Sequence, residues 1–476
     1  MPINKFYVTT PIYYVNAPPH LGSAYTTIAA DVLARYYRTK YGQEKVFLMT
    51  GTDEHGAKIQ ESARAAGKSP KQFTDEIVAC YQTSWQQLNI AYDYFVRTTA
   101  KDHETAVQEV VQKLFDRDDI YQGVYQALYC VGCEQYKTKS ELMAGNLCPD
   151  HHRPCEVHEE EAYLFRLSKY QAEIKKRITN DQIKIRPLSR KNEILSFIKR
   201  EGLEDIAISR KKEKVAWGIT LPFDKNHTVY VWVDAFLNYL TGFGWPKETK
   251  KAAFFWPADV QLMAKDIMRV HATIWQALLL ALDLPTSKEL FIHGYFTVNG
   301  QKMSKSLGNI LEPNKLVAKF GADPVRYAVL REFPFGQDGD ISEEKIAQRY
   351  LSDLANDLGN LLQRTLVMIN KYEVKVTKSR SLPIDLDLEM KELSFDRALI
   401  KIWQEVKLAN QQIEVSAPWL LAKTDREKLN AVLSHVYNEL YRVATALAPF
   451  MPETAVKIEK QLTSKKPVPL FPRLEG

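Results

Sequence analysis

Residues 6–53 read FYVTTPIYYVNAPPHLGSAYTTIAADVLARYYRTKYGQEKVFLMTGTD, and the fold class follows from this stretch. Phe6-Tyr7-Val8 is a short β-favouring run, after which Pro11, Pro18 and Pro19 break regular structure. Tyr25, Ile28, Ala29, Val32, Leu33 and Tyr36 then recur at helical spacing. Val46 to Met49 is a second buried-strand candidate, ending at the loop Thr50-Gly51-Thr52-Asp53. Strand, helix and strand in this order are the unit of a parallel α/β sheet. Ligands of such sheets bind at the carboxyl ends of the strands. The corner Pro19-His20-Leu21-Gly22-Ser23 therefore draws attention. A helix start presents backbone N–H groups to phosphate. Gly22 lets a nucleotide come close to the backbone. His20 can donate to phosphate oxygens as negative charge builds.

Helical patterns continue to about Leu114, and from Tyr121 to Lys225 the character changes. Cysteines, histidines and charges dominate there, with a basic run Arg210-Lys211-Lys212, so the stretch reads as an inserted domain. The α/β pattern then resumes. Thr228 to Val233 reads as a strand with Asp234 just past its end; Leu262-Met263 and Leu290 to Ile292 read as strands, with a helix between them from Ile267 to Leu282. After Asp340 the chain reads as helical. Leu351, Leu354, Leu358 and Leu361 form one stripe, and further helices span Phe395 to Val415 and Arg426 to Leu447. Lys375 to Leu388 reads as a loop, and the Pro-containing tail from Lys465 as extended.

The chain has 476 residues, which at about 150 per domain predicts about three domains. With 45% hydrophobic and 26% charged residues it is not a disordered chain. A net charge of +6 permits a polyanionic partner without requiring one. No apolar run is long enough to span a membrane, and the N-terminus MPINKFYVTT has no secretory pattern, so a cytoplasmic location is expected. Five cysteines are too few, and odd in number, for a disulfide framework. Four of them fall between Cys130 and Cys155, which points to metal.

Cys130 and Cys133 form a CxxC knuckle, and Cys148 to His151 a CxxH knuckle. Two such knuckles bring four N and S donors to a tetrahedral centre that suits one structural Zn²⁺. Cys155 and His152 are alternative fourth ligands. Far downstream stands Lys302-Met303-Ser304-Lys305-Ser306, framed as a loop by Gly300 and Gly308. Its two ammonium groups, three residues apart, can both reach one polyphosphate.

A His-x-Gly corner after the first strand and a downstream KMSKS resemble the two signatures of class I aminoacyl-tRNA synthetases. Longer stretches narrow the resemblance to the methionyl-tRNA synthetase family, of the kind with a single zinc knuckle. They are Tyr7 to Asn16, Thr50 to Gly56, Tyr230 to Ala235, Lys265 to Ile267, His293 to Ser306 and Pro334 to Asp340, in the family's order. The implied fold is α/β: a Rossmann-like parallel sheet split by a zinc-containing insertion and followed by an all-α helical bundle. Its catalytic domain covers 1–118 and 226–298, the connective insertion 119–225, the KMSKS loop and stem-contact linker 299–345, and the anticodon-binding bundle 346–476.

The resemblance also implies residue roles. His20, Lys302 and Lys305 would be catalytic, stabilising charge on the phosphates. ATP would be bound by these three with Gly22, Ser23, Lys265, Asp266 and Ser304, and Mg²⁺ would accompany it. Methionine would meet Ile12, Tyr14, Asp53, Trp232, Ala235, Tyr239 and His271. Asp53 would supply a carboxylate for the α-ammonium, and the apolar and aromatic groups would enclose a polarisable thioether. Asn360 and Arg364, four residues apart on one helix, with Trp419, would read and stack on the CAU anticodon of tRNA(Met) and initiator tRNA. A monomer with no membrane association is expected. Three positions depart from the family pattern: Ser23 replaces a second histidine, Ala264 a glycine, and Val270 an aromatic residue. The competing readings are a paralogue that activates an amino acid for a non-translational acceptor and a silent tRNA-binding module; the complete KMSKS disfavours the module.

Overall fold

In the computed structural model, which describes residues 4–130, 135–137, 142–149, 152–298, 300–303, 309–379 and 382–474, the opening stretch becomes the centre of a parallel sheet. In chain order the strands are β1 (Phe6–Thr9), β2 (Tyr13–Tyr14), β3 (Val46–Asp53), β4 (Tyr94–Arg97), β5 (Ile120–Cys130), β6 (Gln135–Lys137), β7 (Glu156–Phe165), β8 (Lys184–Arg186), β9 (Ile206–Ala207), β10 (Ser209–Lys211), β11 (His227–Val229), β12 (Val260–Ala264) and β13 (Glu289–His293). β3 pairs with β1 over Val46–Met49, with β2 at Thr52 and Asp53, and with β4 over Met49–Thr52. From β1 the sheet continues through β12 and β13 to β8, and all these pairings are parallel. The chain leaves β1 on one side and returns to β12 on the other, so the order reverses between them.

Side chains along each strand alternate between two cores. Phe6, Val8, Val46, Leu48, Val260, Leu262 and Phe291 pack on one face. Tyr7, Phe47, Met49, Met263, Leu290 and Ile292 pack on the other. Period-two burial on both faces is what a parallel sheet covered by helices requires. The first core runs on without a break into the C-terminal helices, through Leu354, Leu358, Leu361, Phe395 and Leu440. Between β4 and β12 the chain builds an antiparallel sheet in which β5 pairs with β6 and β7, and β7 with β9. β8 lies inside the stretch read as the insertion, yet it adds to the edge of the main sheet. No helix among the described residues is long and apolar enough to cross a membrane.

Three local expectations are corrected. β3 does not stop at Met49 but runs through Thr50-Gly51-Thr52 to Asp53. A side chain at Gly51 would strike the Val96 backbone, its Cβ lying 2.2 Å from the carbonyl oxygen, so glycine is what lets β4 pair there. The strand expected over Thr228 to Val233 ends at Val229, and Val231–Phe236 is a helix. Its residues Val233, Asp234, Ala235 and Phe236 are all buried, and a short, mostly apolar run buried at successive positions is not told apart from a strand by periodicity. The leucine stripe loses Leu351, which is 47% exposed, while its neighbour Tyr350 is buried. The turn Tyr350–Gly359 is π-helical, which shifts the register of the buried face.

Candidate active site

A cavity of about 560 Å³ opens where the strand order reverses. Residues after β1, the end of β3, and residues after β12 and β13 line it, as expected for a ligand site at such a switch point. Of the residues picked out from sequence, His20, Gly22, Ser23, Ile12, Tyr14, Asp53, Trp232, Ala235, Tyr239, Asp266 and His271 all line this one cavity. Lys265 does not.

At one end stands the helix Leu21–Tyr41. His20 is its N-cap, with Nδ1 accepting from the Gly22 N–H at 3.0 Å. The ring proton of the neutral tautomer then resides on Nε2, the nitrogen able to donate. A Cβ at Gly22 would lie 2.9 Å from the His20 ring, so this corner admits only glycine without a shift. Ser23 does not offer its proton to the cavity. Its hydroxyl donates to the His20 carbonyl at 2.7 Å and accepts from the His20 N–H at 3.2 Å, which closes a capping box. Ala264 ends β12 and is not among the residues with positive φ, so its methyl brings no backbone strain. Val270 does not line the cavity; it packs against the second core.

At the other end is Asp53. Its Oδ1 is sealed from solvent and has no hydrogen-bond partner. Burial pushes this carboxyl well above the usual range, and the nearby Asp234 charge adds to the effect. An orphaned buried carboxylate oxygen is costly. It is also what a site that awaits a cationic donor looks like.

Between the two ends lies the apolar part. Trp232 and Ala235 come from the helix Val231–Phe236 and Tyr239 from the next turn, Asn238–Thr241. His271 opens a π-helical turn, His271–Trp275, whose loosened carbonyl is taken up by the Gln276 side-chain amide at 2.9 Å. The His271 Nδ1–H donates to the Ile267 carbonyl at 2.9 Å, so Nε2 accepts the Tyr239 hydroxyl at 2.8 Å. Burial lowers the His271 pKa to about 4, so the ring is neutral at physiological pH. The wall is thus apolar, aromatic and uncharged.

Lys265 is held by a carboxylate that is not part of the cavity lining. Its ammonium donates to both Asp338 oxygens, at 2.7 and 3.1 Å, and lies 4.4 Å over the Tyr295 ring. Ser304 and Lys305 lie outside the described residues, as does the Lys302 side chain. Both flanks of that loop nevertheless bond to chain neighbours of cavity-lining residues. Thr297 pairs with Lys302 in a hairpin beside the cavity-lining Phe296, and the Leu21 N–H donates to the Leu311 carbonyl at 2.9 Å. The sequence reading missed His293, which lines the cavity and bonds Thr26 at 2.7 Å. It also left His55 and His103 without a role, although both flank Asp234.

Asn360, Arg364 and Trp419 sit elsewhere, on the helical end. Asn360 is exposed, Trp419 is 44% exposed, and the Arg364 guanidinium lies 4.0 Å from Glu414, five residues before Trp419. Among the zinc ligands expected from sequence, Cys148 is buried in a small cluster with Leu128 and Cys155, and its carbonyl accepts the His152 N–H at 2.8 Å. Cys130 ends β5 opposite Gln135. Cys133, His151 and the Cys130 side chain lie outside the described residues. Thiol and imidazole donors suit Zn²⁺. Of the two alternative ligands, Cys155 shares the burial of Cys148, whereas His152 is exposed.

A family model described as tRNA synthetases class I (M) matches residues 6–156 and 150–366. The methionine–tRNA ligase of Clostridium acetobutylicum is 46% identical over 476 residues, covering 96% of this chain and 73% of that one. The ligase of that name from Thermotoga maritima is 42% identical, covering 96% of this chain and 75% of its own. Among solved structures, methionyl-tRNA synthetase of Mycobacterium tuberculosis in complex with methionyl-adenylate aligns with a TM-score of 0.89 and 35% identity, over 99% of this chain and 100% of that one.

Proposed function

This chain belongs to the methionyl-tRNA synthetase family of class I and ligates methionine to tRNA; from that premise we infer how its own residues divide the work. Methionine lies with its ammonium on Asp53 and its side chain against Ile12, Tyr14, Trp232, Ala235, Tyr239 and His271. ATP lies with its phosphates over the start of the helix Leu21–Tyr41, near His20 and Gly22. The methionine carboxylate attacks the α-phosphorus, the bond to the β-phosphate oxygen breaks, and pyrophosphate leaves. The terminal ribose hydroxyl of tRNA then attacks the adenylate's carbonyl carbon, and AMP leaves. No side-chain nucleophile is needed; positioning and charge stabilisation carry the rate.

The observation that carries this reading is the unpartnered, buried Oδ1 of Asp53 at the polar end of an uncharged aromatic cavity. Methionine-dependent ATP–pyrophosphate exchange, run across all twenty amino acids, tests it. Activity with methionine alone is expected; activity with another amino acid and none with methionine would overturn it. Charging of tRNA bearing CAU, against tRNA with another anticodon, separates translation from a non-translational acceptor.

Mg²⁺ comes with ATP. Lys302 and Lys305, with Ser304, act on the phosphates; Lys265 and Asp266 complete the nucleotide site once Lys265 exchanges Asp338 for the nucleotide. Lys305→Ala is expected to slow adenylate formation about a hundredfold with little change in methionine affinity; pre-steady-state adenylate formation and methionine titration read the two separately. Residues 346–476 carry the anticodon site, with Asn360 and Arg364 on base edges and Trp419 stacked. Trp419→Ala is expected to reduce charging of tRNA(Met) about tenfold or more while leaving pyrophosphate exchange intact, because base–aromatic stacking is worth about 1–3 kcal/mol. Residues 119–225 form the insertion, in which one Zn²⁺ would join Cys130, Cys133, Cys148 and His151 or Cys155, a structural ion that ties the two knuckles. The catalytic halves are 1–118 and 226–298, joined to the bundle by 299–345. The enzyme works as a cytoplasmic monomer on tRNA(Met) and initiator tRNA.

A further inference from the structure

Asp234 lies behind the apolar wall, on the same short helix as Trp232 and Ala235, and is 1% exposed. Its two oxygens are used in different directions. Oδ2 accepts from His55 Nδ1 at 2.7 Å, and Oδ1 accepts from His103 Nε2 at 2.8 Å. His55 is two residues beyond Asp53 and 3% exposed; its backbone N–H also supports the Asp53 carboxylate. His103 belongs to the helix Lys101–Asp116, is 4% exposed, and bonds the Thr241 hydroxyl at 2.8 Å through its other nitrogen. One carboxylate thus fastens the Asp53 strand end, a flanking helix and the Trp232 helix to one another. A lid closes this arrangement: the Trp217 indole donates to the Glu54 carbonyl at 2.6 Å, and the Trp217 carbonyl accepts from the Gly56 N–H at 2.9 Å.

Apolar side chains would fill this space at less cost than a buried carboxylate with two imidazoles. Directional bonds do what apolar packing does not: they fix distance and angle between elements. We propose that Asp234, gripped by His55 and His103, is a positioning residue for methionine activation, holding the Asp53 carboxylate and the Trp232–Ala235 wall at the separation that lets one methionine meet both. This rests on the assignment of Asp53 and that wall to methionine. The electrostatics agree. Burial works against a charged His55 ring, but Asp234 together with Glu104, 3.8 Å from Nε2, and Glu54 outweighs it and raises the pKa, so the imidazole balances Asp234 and the incoming ammonium answers to Asp53.

Pyrophosphate exchange on the full chain tests the clamp with His103→Leu, His103→Gln, Asp234→Asn and Asp53→Asn. His103→Leu and Asp234→Asn are expected to raise the methionine KM about tenfold or more, with the ATP KM within about twofold. In His103→Gln the amide nitrogen takes the place of Nε2 and donates to Asp234, so most of the methionine KM is expected to return. Asp234→Asn, which keeps the side-chain shape, carries the test if His103→Leu does not fold. An unchanged methionine KM in these variants, with only a lower melting temperature or less active enzyme, would reduce the clamp to a structural feature and overturn the proposal. So would failure of His103→Gln to restore the methionine KM. Asp53→Asn separates the two layers. If it leaves the methionine KM unchanged, the site assignment is wrong. If it raises the KM while the clamp variants do not, only the positioning role is wrong.

Discussion

Asp53→Asn is expected to lower kcat/KM for methionine about a thousandfold, near 4 kcal/mol, with the KM for ATP little changed; truncating one partner of a buried charged pair costs about 2–5 kcal/mol. The replacement has the same shape, so the loss is one of charge. The free enzyme is expected to gain from it. Asp53 Oδ1 has no partner and burial has raised the carboxyl pKa, so the empty site carries a desolvation penalty that asparagine removes. The sign follows from linkage. A carboxyl whose folded pKa is raised is no burden below its unfolded pKa. It becomes one as pH climbs from there, reaching its full penalty above the folded value. Methionine needs the ionised form. Its affinity is therefore expected to weaken as pH falls through the raised value, earlier than an ordinary carboxyl would dictate, and Asp53→Asn should lack that dependence. Equal methionine affinity in parent and variant at every pH would remove Asp53 from the ammonium site.

Arg326→Met is expected to destabilise the fold by about 3–5 kcal/mol, the usual cost of breaking a buried ion pair from one side. Arg326 and Asp31 are both fully buried, 2.7 Å apart. The guanidinium also donates to the carbonyls of Phe450 at 2.8 Å, Pro449 at 3.0 Å and Leu88 at 3.1 Å. It joins the helix Leu21–Tyr41, which starts at His20, to the end of the helix Arg426–Leu447. Methionine fills much of the volume but leaves three carbonyls without a donor. Asp31 keeps Arg35 at 2.8 Å and the Ala91 N–H at 2.8 Å, which limits the damage on its side. Urea unfolding reads the effect, and a double variant with Asp31→Asn should lose less than the two single variants together. A loss below about 1 kcal/mol for Arg326→Met would mean that water takes over the guanidinium's bonds.

Much of the site was legible because its signals are local. The helix start at His20 shows in a histidine and a glycine two apart after a proline pair, and helix capping depends on a few neighbouring residues. Asp53 was legible from its place at a strand end. What was not legible depends on surroundings. Val231 to Phe236 carries residues that favour strands, yet it is a helix whose last four residues are buried. The partner of Lys265 in this structure, Asp338, lies 73 residues away and left no local trace. Ser23 was expected to face phosphate, but the His20 backbone takes its hydroxyl.

The opening succession of strand, helix and strand, and the corner that begins at His20, were determined by the sequence itself. Alternation and capping are satisfied within a few residues, whatever the rest of the chain does. Tertiary structure alone decided that Asp53 Oδ1 stays without a partner, that His271 stays neutral, and that Asp234 meets histidines 179 and 131 residues away. Protonation and pairing are set by desolvation and by charges within a few ångströms, and only the folded chain determines which distant groups share that space.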